Sequence, residues 1–219
     1  FLRTFGIALG VTLICALIGA PEAYILSRMR NPWKSLFLIV ILGPLLISVI
    51  VRTLGWALIF GGNGVINQSL EALGLDVGFN LMFTTTGIVI ALVHVLVPFM
   101  VISVWASLQR LDPAVEDAGT SLGASRFTVL RRIVIPQVMP GILSGSMLVF
   151  ALAASAFATP AVIGGRRLKV VATTAYDEYL NTLNWPLGAA IAILLLIANI
   201  VIVLSYNRLI ERRFAKVFG

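Results

Sequence analysis

Five stretches of the sequence are apolar over about 20 residues or more. They run roughly Phe5–Ser27, Ser35–Phe60, Leu81–Trp105, Gly141–Gly164 and Leu187–Leu209. At 1.5 Å of rise per residue, about 20 residues cross the hydrocarbon of a bilayer as a helix. That medium offers no partner for an unpaired N–H or C=O, so each span must be helical. The predicted fold class is all-α: a polytopic transmembrane helix bundle, one domain over residues 1–219.

Composition closes the alternative. Hydrophobic residues make up 59% of the chain and charged ones 11%. Soluble domains carry roughly a quarter charged residues, because their surface must face water. The net charge of +7 would suggest nucleic acid in a soluble protein. In a membrane protein, Lys and Arg gather instead in cytoplasmic loops. No nucleic-acid partner is expected; membrane lipid is.

The basic residues also set an orientation. Arg28, Arg30, Lys34, Arg110, Arg126, Arg131, Arg132, Arg208, Arg212, Arg213 and Lys216 fall on one side. Arg3, Arg52, Arg166, Arg167 and Lys169 fall on the other. The larger set belongs in the cytoplasm, which puts the C-terminus inside and Phe1 outside. An outside start for a five-span chain leads us to expect a further span ahead of Phe1. Trp33, Trp56, Trp105 and Trp185 lie near span ends, where amphipathic rings prefer to sit.

Gly6 and Gly10 form a GxxxG pair, as do Gly141 and Gly145. Small residues at that spacing let helices approach closely in lipid. Pro21, Pro44, Pro98 and Pro160 lie within the spans and each can kink its helix. Cys15 is the sole cysteine, so it has no disulfide partner, and His and Cys are too few for a catalytic metal site. No phosphate-binding GxxxxGK[ST], HExxH or GxSxG motif occurs. The chain is therefore not expected to be an enzyme or to need a cofactor.

The connection Gln109–Pro140 has structure written into it. Asp112 can cap a helix with Pro113 in its first turn. Val115, Ala118 and Leu122 then fall on one face. Gly123 can take the left-handed conformation that ends a helix. Ser125 can start a second helix, Arg126–Ile135, which Pro136 is expected to interrupt. A helix as short as the first is marginal in water, so it must dock on something.

This loop resembles the cytoplasmic loop of permease subunits in binding-protein-dependent ABC importers. Their pattern is E-A-A, three residues, G, nine residues, I-x-L-P. Glu116-Asp117-Ala118, Gly123 and Ile133-Val134-Ile135-Pro136 align with it, with Asp117 at an alanine position and Ile135 at the leucine position. The segments VRTLGWALIFGGNGVINQSLEALGL, HVLVPFMVISVWASLQRLDP and NWPLGAA are similar to the polyamine (spermidine/putrescine) branch. The resemblance implies the type I permease fold, with a core of six helices, in the bacterial inner membrane. It implies a complex with an ATPase subunit dimer, a second permease subunit (identical or homologous) and a periplasmic or lipid-anchored binding protein. Asp112–Gly123 would be the coupling helix. Glu116 and Asp117 would contact the ATPase cleft, Ala118 would permit close approach, Gly123 would make the turn, and Ile133 and Pro136 would lead back to the membrane.

A pathway for a polycation should offer acidic or aromatic groups. Glu22 and His94 lie inside spans, and Asp177 and Glu178 sit between Tyr176 and Tyr179 in an outer loop. Each also has a plain structural reading. Arg28 or Arg30 can neutralise Glu22, His94 can be hydrogen-bonded packing, and Asp177 and Glu178 can offset Arg166, Arg167 and Lys169. Two alternatives remain at this level: an importer of another small organic solute, and an ion-coupled secondary carrier. A non-transporting scaffold explains the spans but not the loop pattern.

Overall fold

The computed structural model describes residues 1–62, 64–74, 80–165 and 167–218. Arg166 lies outside these residues, as do the side chains of Arg212, Arg213 and Lys216. Helix α1 runs Leu2–Arg28, α2 Trp33–Leu46, α3 Val49–Phe60, α4 Val65–Ala72 and α5 Thr85–Leu108. There follow α6 Pro113–Ser121, α7 Arg126–Val129, α8 Ile135–Ala154, α9 Ala158–Ile163, α10 Val171–Tyr176 and α11 Trp185–Phe218. Wider π turns occupy Leu130–Val134 and Asp177–Asn181. No strand occurs among the described residues.

Helices α1, α5 and α8 pack against one another and form the centre. In α5, 61% of the most apolar stretch is buried, against 11% in α11. The last span therefore leaves most of its apolar surface for lipid or another subunit. The two GxxxG pairs part company here. A Cβ on Gly141 would meet Ser107 and come within 2.8 Å of the Ser103 carbonyl, and one on Gly145 would lie 2.8 Å from Met100 Sδ. These glycines seat α8 on α5. Gly6 and Gly10 face open space, so the same spacing does no packing in α1 within this chain.

Two predicted spans are divided. The stretch Ser35–Phe60 breaks at Ile47 and Ser48, both with extended ψ. Pro44 lacks a donor, and the end of α2 leaves carbonyls that lipid cannot satisfy. Arg52 Nη1 reaches back to the Pro44 carbonyl, and the Ser48 carbonyl starts α3 by accepting from Arg52 N at 3.0 Å. The stretch Gly141–Gly164 likewise divides: α8 begins earlier, at Ile135, and stops at Ala154, and α9 restarts the chain at Ala158. Pro160 sits in the first turn of α9, where no donor is required.

Candidate functional site

The loop 109–134 folds by the local signals in its sequence. Asp112 Oδ1 accepts from Ala114 N at 2.9 Å, capping α6 behind Pro113. At the other end Gly123 adopts φ +83°. Its N–H donates to the Thr120 carbonyl at 3.0 Å, and Ala124 N–H donates to the Gly119 carbonyl at 3.2 Å. That pair of bonds is a Schellman end, which requires the left-handed residue that glycine supplies most cheaply. Ser125 Oγ accepts from Thr128 N at 3.2 Å and starts α7.

Pro136 does not interrupt the second helix. The chain passes through the π turn, with Ile135 N–H bonded to the Leu130 carbonyl, and continues as α8. A widened turn accommodates a proline whose missing donor and ring would disturb a regular α turn. The elbow is thus continuous with the membrane helix that packs on α5.

The pattern's acidic position moves by one residue. Three residues should separate the triplet from the glycine, yet four (119–122) separate Ala118 from Gly123. Counted back from Gly123, the triplet is Asp117-Ala118-Gly119. The structure gives this register a physical meaning. Asp117 and Ala118 are exposed. Gly119 closes on the following helix: a Cβ there would lie 2.9 Å from Ile133 Cδ1 and 3.3 Å from Val129 Cγ2. Glu116, by contrast, is 9% exposed and forms a salt bridge with Arg28 at the end of α1. Val115 and Leu122 share an outward face with Ala118 and are 40% and 89% exposed. Pro136 is exposed, and Ile133 is half-buried against α6.

The other candidates lie apart from the elbow. Glu22 is half-buried. Arg28 is committed to Glu116, and no salt bridge to Glu22 forms among the described residues. His94 Nδ1 accepts from Trp56 Nε1 at 3.4 Å, with the rings edge-on at 5.3 Å. Asp177 pairs with Lys169 at 2.8 Å and accepts from Asn181 Nδ2 at 2.9 Å. Glu178 accepts from Thr182 Oγ1 at 2.9 Å. Tyr176 lies tilted against Phe157 at 4.6 Å, and Tyr179 stacks near Trp185 at 6.2 Å. The structure therefore separates an aromatic and acidic region from the elbow at the opposite end of α8, and does not bring Glu22 or His94 to either.

One further candidate is a cation that the sequence places inside the second span. Arg52 lines a cavity of about 290 Å³ where the broken second span meets α5 and the α8–α9 break. Its walls include Ile47, Leu96, Phe99, Phe157 and Thr159. A charge inside a span was the available signal, since intramembrane cations usually face a cavity or a partner. Among the described residues no group of three His, Cys, Asp or Glu is placed to hold a metal.

Residues 12–216 match the family of binding-protein-dependent transport system inner membrane components. The chain belongs to this family. It is 33% identical over 208 residues to the spermidine/putrescine transport system permease protein PotB of Escherichia coli, covering 94% of this chain and 76% of that one. It is 31% identical over 195 residues to the molybdenum transport system permease protein ModB of Mycobacterium bovis, covering 89% and 72%. Among solved structures, a bacterial ABC transporter that imports the acidic polysaccharide alginate superposes with TM-score 0.75 at 18% identity, covering 97% of this chain and 79% of that one. The methionine transporter MetNI superposes with TM-score 0.71 at 16% identity, covering 96% and 94%. The bundle is thus the type I permease fold, and the protein is a multi-pass inner-membrane permease subunit of an ABC importer. Membership in a binding-protein-dependent family sets aside the ion-coupled carrier.

Proposed function

We propose that this permease subunit forms part of the pathway for a polyamine, handed over by an external binding protein and driven by a separate ATPase subunit. The observation that carries the reading is the elbow. A short helix capped at both ends by neighbouring residues presents Val115, Ala118 and Leu122 outward, exposed among the described residues. The ATPase docks on that face, with Asp117 beside it. A second permease subunit lies against the bundle. The loop 109–134 and the C-terminus are cytoplasmic, in line with the basic residues around them.

The polyamine reading is supported by the PotB relative and by the outer region. Asp177 and Glu178 there stand beside Tyr176 and Tyr179, and carboxylates with aromatic faces suit ammonium groups. Glu22 and His94 lie on the route through the bilayer. One observation favours a second reading, an anionic solute. Arg52 places a cation on the cavity at the helix breaks, and the ModB relative is named for molybdenum transport.

The test uses the full-length protein expressed with the genes of its complex. Purification should bring down an ATPase subunit and a second permease. Proteoliposomes holding the complex and its binding protein should take up labelled spermidine on addition of ATP. Gly123→Pro, which cannot take φ +83°, should abolish uptake while the protein still reaches the membrane. Purification without an ATPase overturns the reading. Uptake of molybdate and not of spermidine replaces the solute and leaves the rest standing.

A further inference from the structure

We infer that Glu116 is a positioning residue that ties the docking helix to the first span through Arg28, so that α6 and the end of α1 move as one body. The inference rests on the elbow being the point where an ATPase engages.

Glu116 has a different environment from the rest of α6. Asp117, Ala118 and Leu122 face outward, whereas the Glu116 side chain is 11% exposed and its Arg28 partner 47%. The carboxylate lies underneath, and the guanidinium reaches over from α1. Arg28 is well placed to do this. It ends α1, where the helix dipole favours a cation, and it lies 5.2 Å over the Tyr24 ring.

Packing alone does not join these parts. The main packing of α6 is on α7 and the first π turn, the segments that follow it in the chain. Beside the C-terminal half of α1, the π turn and the start of α8 line an open apolar groove of about 360 Å³ with α1, through Tyr24, Ile25, Leu130, Val134 and Val138 among others. The charged pair lies outside that lining and joins α1 to α6 directly. Beyond it, α1 is seated along α5 and α8, with Ala23 and Leu26 fully buried. A displacement of α6 therefore has two routes into the bundle: along the backbone into α8, and across the ion pair into α1.

An exposed ion pair contributes little. This one is shielded on the acid side, and removing a single partner strands the other charge. The informative variant therefore removes both. Arg28→Gln/Glu116→Gln leaves no stranded charge, so a merely structural pair would be replaced at small cost.

Spin labels on Thr120→Cys and Ile25→Cys report the separation of α6 from α1 in the full-length complex in nanodiscs; both positions are exposed. With the native pair, the distance distribution should be narrow and the same without nucleotide and with ATP–vanadate. In Arg28→Gln/Glu116→Gln it should broaden without nucleotide and shift by more than about 2 Å with ATP–vanadate, beyond the usual small helix displacements. The exchange Arg28→Glu/Glu116→Arg should restore the narrow distribution. A neutral-pair variant indistinguishable from the native chain overturns the inference, as does an exchange no narrower than the neutral pair. The nucleotide-free arm reads the tie even if no ATPase accompanies the protein, a result that would instead remove the proposed function.

Discussion

The two ends of the bundle are built alike and wired differently. At one end, residues 109–134 comprise two short helices and a π turn; at the other, residues 155–184 do the same. Among the described residues each carries a salt bridge. Lys169 and Asp177 lie eight positions apart within one connection, and the Asp177 side chain is 29% exposed. Arg28 and Glu116 join elements separated by four intervening helices, with the acid nearly enclosed. The first pair shapes a loop and the second couples a loop to a span. The same interaction type serves local order or transmission according to what its ends are attached to.

The comparison presumes one rigid seam between the ends, and the largest expected effect tests that seam. Gly141→Leu places a side chain where Ser107 and the Ser103 carbonyl already crowd. Overpacking of this kind costs about 3 kcal/mol, and detergent-solubilised protein should lose its monodisperse peak in size-exclusion chromatography. Next comes Glu116→Lys, which sets two cations together under α6. The maximal rate of uptake should fall more than about tenfold, the scale of a stranded charge, at unchanged membrane level. Asp177→Asn should leave the maximal rate intact and raise the spermidine concentration for half-maximal uptake by about threefold, since a partly exposed pair contributes up to about 1 kcal/mol. Equal loss of maximal rate in both variants would erase the distinction between the ends. Asp112→Ala removes the α6 cap, at about 1 kcal/mol, and amide exchange in α6 should quicken while residues 155–184 are unaffected. The smallest effect is expected for Gly119→Ala. The nearest atom, Ile133 Cδ1, ends a flexible side chain, so the cost stays under about 1 kcal/mol and thermal unfolding should shift little.

Much of the elbow was legible because its signals are local. Asp112, Gly123 and Ser125 act on groups within a few residues, and each does what its side chain or φ preference dictates. The breaks in two spans were less legible. Pro44 and Pro160 marked them, but a proline can kink, end or start a helix, and the choice followed from Arg52 reaching the Pro44 carbonyl and from the restart at Ala158. Pro136 signals an interruption in the sequence, and a π turn carries the helix past it. Counting back from Gly123 places Glu116 outside the triplet, but its partner Arg28 was not legible. One residue of register, about 100° around a helix, decides whether a carboxylate faces a partner or the chain itself.

The sequence by itself determined that the chain crosses a membrane as helices and carries a capped elbow between two spans, because apolar length and local caps act over short separations along the chain. Only the tertiary structure decided that Gly141 and Gly145 form a seam while Gly6 and Gly10 do not, and that Arg28 belongs to Glu116 and not to Glu22. Those outcomes depend on which faces of distant helices meet, and a helix's own sequence fixes its periodicity but not its neighbour.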